Sequence, residues 1–393
     1  MAPGFIVRGR RGAGVLVMTL LLGTVVRAMA ASGLTVSPDG NLLLQGRPVR
    51  AAGVNYYDVF VRTLSSPSRP HPDEGFRELS RRGIPFLRFS AGGYWPVEWG
   101  LYRTNRDSYF QRLDTLVRSA ESHHLGLIPS LFWNLATIPD VVGEPVGSWG
   151  DPSSRTVEFM REYTRLVVGR YRGSPAIWGW EFGNEYNLPA DLPNAAEHRP
   201  PIVPSLGTPA GRGASDDLTH AQFRSALAEF AREVRRWDPD RAVFSGNAFP
   251  RGSAWHQMRE HRWERDSPEQ WETMLAADNP DPINTLSGRL YTPEDATRIR
   301  TAVNLGVRLR KPLFVGEFGV PAGPADPMMS RFREQVALLD ASGVRLAALW
   351  VYDFDGQAAD WSVTSANDRG AMLNAVAELN SRWRTNAVPR RDR

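Results

Sequence analysis

The stretch Ile177-Trp178-Gly179-Trp180-Glu181-Phe182-Gly183-Asn184-Glu185 decides how this chain reads. An apolar run, Ala176–Gly183, ends in a glycine and is followed at once by an asparagine and a carboxylate. It comes after an amphipathic pattern, Thr156–Tyr171, and before a long irregular stretch, Tyr186–Asp217, with six prolines. A short apolar segment bounded in this way predicts a strand buried on both faces, as strands of parallel sheets are. Working outward, similar segments recur at Val49–Tyr57, Ile84–Ser90, Gly126–Trp133, Arg241–Asn247, Ile283–Tyr291, Pro312–Gly319 and Val344–Asp353. Further helix patterns lie at Tyr109–Leu125, Thr219–Trp237, Pro293–Leu309, Arg331–Ser342 and Gly370–Trp383. Within Thr219–Trp237, residues Phe223, Leu227, Phe230, Val234 and Trp237 recur at the three- and four-residue steps of one buried helix face.

Eight strands, each followed by a helix or helix-like stretch, predict an α/β fold, the (β/α)8 TIM barrel, in a single domain. A doubly wound open sheet could also alternate, but the chain has no Gly-x-Gly-x-x-Gly phosphate loop. A short β-hairpin is expected before the barrel, within Leu34–Val49, turning at Pro38-Asp39-Gly40-Asn41.

The 393 residues, 42% hydrophobic and 23% charged, are those of a globular chain. Residues 1–30 read as a signal peptide: Arg8, Arg10 and Arg11 form a basic head, Ala13–Val26 is apolar, and Ala28-Met29-Ala30 offers a small-x-small cleavage site. The apolar run is short of the roughly 20 residues that span a bilayer, so no stable membrane insertion is expected after cleavage. The expected product is a secreted or periplasmic monomer, residues 31–393. The whole chain carries a net charge of +4. Without the four arginines of residues 1–30, 43 basic residues balance 43 acidic ones, which argues against a nucleic-acid partner. The absence of cysteine excludes thiol catalysis, cysteine zinc sites and disulfides.

The chemistry is expected where barrel strands end. Glu185 follows the fourth strand, and Glu317, in Phe314-Val315-Gly316-Glu317-Phe318-Gly319, ends the seventh. Barrel enzymes draw their catalytic groups from this rim, and the Tyr186–Asp217 stretch, a loop on it, is expected to cover part of the cleft. Two carboxylates facing each other across it suit glycoside hydrolysis, one as proton donor and the other as nucleophile or base. Glu181 shares the strand parity of Glu185 and is expected to be a buried partner of Arg88. Aromatic residues at strand ends, among them Trp133 and Trp350, offer flat faces for sugar rings.

From about Leu34 to Asp355 the chain resembles glycoside hydrolase family 5, the cellulase- and mannanase-like members of a clan with catalytic glutamates after strands four and seven. The resemblance implies Glu185 as acid/base and Glu317 as nucleophile, with Asn184 at the sugar 2-hydroxyl. It also implies Arg88 and Tyr291 as supports of the nucleophile and Trp350 as a sugar platform. Trp133 and Asn134, at the end of the third strand, are further candidates for substrate binding or support. The implied activity is retaining hydrolysis of β-linked oligo- or polysaccharides, with no cofactor and no metal. Three positions depart from the family pattern: Tyr186 where a proline is common, Arg289 where a histidine precedes the tyrosine, and a third strand lacking the histidine many relatives carry.

Rival chemistries find less support. His256, Glu260 and His261 have metal-binding residue types at the wrong spacing for a helical zinc motif, so a solvated face is expected. No Gly-x-Ser-x-Gly elbow occurs, and the one lysine is Lys311. A carbohydrate-binding barrel without turnover and a transglycosylase remain as alternatives.

Overall fold

Eight short parallel strands make the centre of the molecule because they are mostly apolar and their few charged residues pair with one another. The computed structural model describes residues 1, 4, 33–65, 72–323 and 325–387; the expected signal peptide therefore lies, apart from Met1 and Gly4, outside the described residues. Strands β1 (Leu34–Val36), β2 (Leu42–Leu44) and β3 (Arg47–Pro48) form a small antiparallel sheet, where a hairpin was expected. The barrel strands follow: β4 (Ala51–Asn55), β5 (Phe86–Ser90), β6 (Gly126–Phe132), β7 (Gly179–Gly183), β8 (Ala242–Phe244), β9 (Leu286–Leu290), β10 (Leu313–Phe318) and β11 (Leu346–Leu349). Each lies inside the segment read from the sequence, and every residue in them is buried.

The strands pair in the order β8-β7-β6-β5-β4-β11-β10-β9. Side chains stitch the seam between β8 and β9: Val243 N donates to Asn284 Oδ1 (2.9 Å), and Thr285 Oγ1 donates to Val243 O (2.8 Å). Helices wrap the outside, their apolar faces set by the periodicity seen in the sequence. Thr219, for example, starts His220–Trp237 by accepting from Gln222 N, while the Gln222 side chain answers to Thr219 N. The small sheet closes the N-terminal end, where Leu34 and Leu42 pack with Phe86, Trp178, Phe244 and Phe314. Leu34 N donates to Trp178 O at 2.7 Å. With that end sealed, the C-terminal rim is left to bind a ligand. The described residues from Gly33 to Ala387 form one compact unit. No helix among the described residues is long and apolar enough to cross a membrane.

Candidate active site

Glu317 reaches the rim through an irregularity in β10. Its pairing with β9 shifts register between Val315 and Glu317, a bulge at Gly316 that re-aims the following side chain. Gly316 also makes room: a β-carbon there would collide with the Arg289 guanidinium. Glu317 is buried, with Oε1 accepting from Arg88 Nη1 at 2.9 Å and Oε2 from Tyr291 Oη at 2.7 Å. Tyr291 is held in turn by the next helix start, where Asp295 Oδ2 accepts from Tyr291 N (3.0 Å) and Thr292 N (2.9 Å).

Arg88, fully buried on β5, is the hub. Its Nε donates to Glu181 Oε1 (2.7 Å), Nη1 to Asn55 Oδ1 (3.0 Å) and Nη2 to Asn184 Oδ1 (2.9 Å). The expected Glu181–Arg88 pair is therefore present. Trp133 covers the guanidinium, its ring centroid 4.2 Å from Arg88 Cζ.

Glu185 sits just past β7 in the left-handed region, φ 56°, where a glutamate is uncommon. Glu185 N donates to Gly246 O at 3.1 Å, which ties the turn to the strand beside it. Arg289 fills the space between the two glutamates. Its Nε is 3.4 Å from Glu185 Oε1 and 3.3 Å from Glu317 Oε1, so those oxygens are at most the two legs together, about 6.7 Å, apart. Arg289 Nη2 donates to Asn184 Oδ1 (2.6 Å) and Gly246 O (2.7 Å). Two guanidinium groups thus occupy Asn184 Oδ1, leaving its amide N–H groups for the cavity it lines.

Charge balance then separates the carboxyls. Glu181, Glu185 and Glu317 share two guanidinium groups, Arg88 and Arg289. Three carboxyls against two buried guanidinium groups favour one carboxyl holding its proton. Glu185 is that group: burial first, and the Glu317 charge second, push it up to about 7 against the pull of Arg289 and Arg88. Although 30% of its side chain is exposed, it lies inside a cleft walled by protein, which is what makes its charge costly. Burial and the neighbouring Glu317 raise the Tyr291 phenol, so it stays a hydrogen-bond donor. Burial works against the Arg289 charge, but Glu317, Glu185 and Glu181 outweigh it.

Two cavities meet at Glu185 and Tyr291. The larger, about 790 Å³, also exposes Glu317, Asn184, Tyr57, Trp133, Trp350 and Trp361. Trp133 and Trp350 stack at 6.0 Å between centroids, and Trp350 Nε1 donates to Gln357 Oε1 (2.8 Å). The smaller, about 390 Å³, runs past Arg289 to Phe249, Arg251 and Trp263.

The fold brings Glu185, Glu317, Arg88, Asn184, Tyr291, Trp133 and Trp350 together. Asn134 is different. It faces a separate cavity of about 120 Å³, and its Oδ1 accepts from Ala136 N (3.0 Å), so it shapes the turn after β6. The Tyr186–Asp217 stretch, expected to cover the cleft, packs instead over the third- and fourth-strand side, where a buried Arg212 grips Asp140 through two 2.7 Å bonds. Of its residues, only Leu188 lines the two cleft cavities. Asn55 and the bridging role of Arg289 were not anticipated. The available signal was parity: Arg289 lies two residues before Tyr291 and so projects to the same side of its strand.

No family model matches the chain. A mannan endo-1,4-beta-mannosidase A from Podospora anserina is 40% identical over 81 residues, 19% of this chain and 21% of that protein. Mannan endo-1,4-beta-mannosidase 8 from Oryza sativa is 26% identical over 175 residues, 38% of this chain and 46% of that protein. The chain thus matches less than half the length of these curated relatives. Among solved structures, an endo-1,4-beta-mannanase from Rhizomucor miehei aligns with TM-score 0.64 and 15% identity, over 89% of this chain and 99% of the other. A family 5 mannosidase from the same organism aligns with TM-score 0.63 and 11% identity, over 91% and 99%. At such identities the likeness is one of fold. The chain thus shares its barrel fold with these solved structures and short stretches of sequence with the mannanases.

Proposed function

We propose that the chain is a retaining β-glycoside hydrolase acting on β-1,4-linked mannan. The observation that carries this reading is the pair Glu185 and Glu317 around one Arg289 nitrogen. Retaining enzymes hold their carboxyl groups about 5–5.5 Å apart, and inverting ones roughly 6.5–9.5 Å. An upper bound near 6.7 Å between their facing oxygens supports the closer, retaining arrangement. Glu317, held between Arg88 and Tyr291, attacks the anomeric carbon while Glu185 gives its proton to the leaving oxygen. Glycosylation then removes the Glu317 charge, the Glu185 pKa falls, and Glu185 takes a proton from the incoming water. Asn184 donates to the 2-hydroxyl, and Trp350 and Trp133 offer flanking aromatic surface. Cavities on both sides of Glu185 suit a substrate that extends past the cleaved bond. The mannan preference is supported by the names of the sequence relatives. The basic and apolar pattern of residues 1–30 supports export, with residues 31–393 as the working domain.

The test is anomer-resolved product analysis on manno-oligosaccharides beside cello-oligosaccharides. A β-anomer as first product from the mannan series is expected. An α-anomer would remove the covalent mechanism, and binding without turnover would favour a carbohydrate-binding barrel.

A further inference from the structure

We propose that His256, Glu260 and Glu264 form a zinc-type divalent-cation site that clasps the loop carrying Trp263 to the helix Ala254–Glu260. A ligand atom from each of the three lies within 4.8 Å of the others. The spacing of His256, Glu260 and His261 matches no helical zinc motif, and the structure instead brings in Glu264, which lies beyond the helix. His256 and Glu260 share one helix face at the four-residue step, and the loop returns Glu264 to them. That return is enforced by Asp266, whose Oδ2 accepts from Trp255 N (2.9 Å) and whose N donates to Gly252 O (2.8 Å).

His256 is set up as a ligand. It is only 8% exposed, and its Nδ1 lies 2.9 Å from Asp266 Oδ1. A carboxylate on one ring nitrogen fixes the tautomer and leaves the other nitrogen as a lone-pair donor for an ion. Nε2 has no hydrogen-bond partner among the described residues. Glu260 and Glu264 are exposed, so water could complete the coordination. One imidazole and two carboxylates match a four-coordinate zinc site whose fourth position is taken by water. Calcium instead takes six to eight oxygen ligands.

The loop has a use for such a clasp. Residues 259–265 are all exposed, so no buried side chain anchors them. Trp263 nevertheless lines the smaller cleft cavity, 52% exposed, beside Glu185 and Arg289. An ion bridging Glu264 to the helix would hold that indole at the rim, where a sugar beyond the cleaved bond would lie. The clasp itself does not depend on the glycosidase reading; only its effect on substrate does.

The test is calorimetric titration of the intact, chelator-treated chain with zinc chloride, beside thermal unfolding. One strong site is expected, weakened at least ~100-fold in His256→Ala and ~10-fold or more in Glu264→Gln and Asp266→Asn. Glu264→Gln changes an exposed side chain, so its fold should be intact if His256→Ala is not. Zinc should also lower KM for a manno-oligosaccharide in the wild type but not in Glu264→Gln, with turnover of a short aryl β-mannoside unchanged. Absence of stoichiometric binding would overturn the proposal. Equal binding by Glu264→Gln and the wild type would place the ion elsewhere, and preference for calcium over zinc would overturn the ion class. If the chain cleaves no glycoside, the zinc titration still decides the clasp.

Discussion

Replacing Arg289 with methionine should move the pH profile of the enzyme upward. The substitution keeps length and removes one charge, 3.4 Å from Glu185 Oε1 and 3.3 Å from Glu317 Oε1. At an effective dielectric constant near 20, unit charges at 3.4 Å interact by about 5 kcal/mol. One cation shared by two carboxylates, in a cleft that admits solvent, acts on Glu185 with a fraction of that, about 1.5–3 kcal/mol, or about 1–2 pH units. The sign is fixed: a cation favours the ionised carboxyl, so removing it raises the pKa. Glu185 stands at about 7, so the alkaline limb of kcat/KM should shift to between about 8 and 9. The assay must use an unactivated manno-oligosaccharide, whose poor leaving group needs the proton of Glu185. Arg289→Lys retains the charge and should leave the limb nearly in place, even if both variants lose rate by disturbing Asn184. An alkaline limb that stays put or falls in Arg289→Met would refute the electrostatic account.

Glu317→Ala should abolish turnover, and azide should restore it as a glycosyl azide of inverted configuration, whereas Glu185→Ala with azide should yield the retained β-azide; swapped products, read by NMR, would exchange the two roles. Glu181→Ala should cost about 3–5 kcal/mol in denaturant unfolding, because it strips one partner from a fully buried guanidinium. Trp350→Ala should raise KM for oligosaccharides at least several-fold, as the larger cavity loses aromatic lining. Arg212→Ala should lower the melting temperature while leaving KM nearly unchanged, since its buried pair with Asp140 lies away from the two cleft cavities.

The sequence by itself determined the barrel and the place of its chemistry. Strands buried on both faces leave mainly apolar runs, and these were readable at all eight positions because burial, a local property, dictates composition. The two strand-end glutamates were legible for a similar reason: the residues marking a strand's end are its immediate neighbours in the chain. Arg88 and Tyr291 came from a resemblance, and the structure brings both to Glu317. What only the tertiary structure decided were relations between strands. Arg289 looked like a departure from a pattern until the bulge at Gly316 let its guanidinium lie between two carboxylates on β7 and β10. Asn134 looked like a ligand by position, yet its backbone turn spends the side chain on Ala136 N. The proline-rich stretch was placed on the rim correctly, but which side it covers depends on Arg212 finding Asp140, 72 residues away. Periodicity reports which face of an element is buried. Which charge meets which across a closed barrel depends on register and on distances between residues far apart in the chain, and no local pattern carries them.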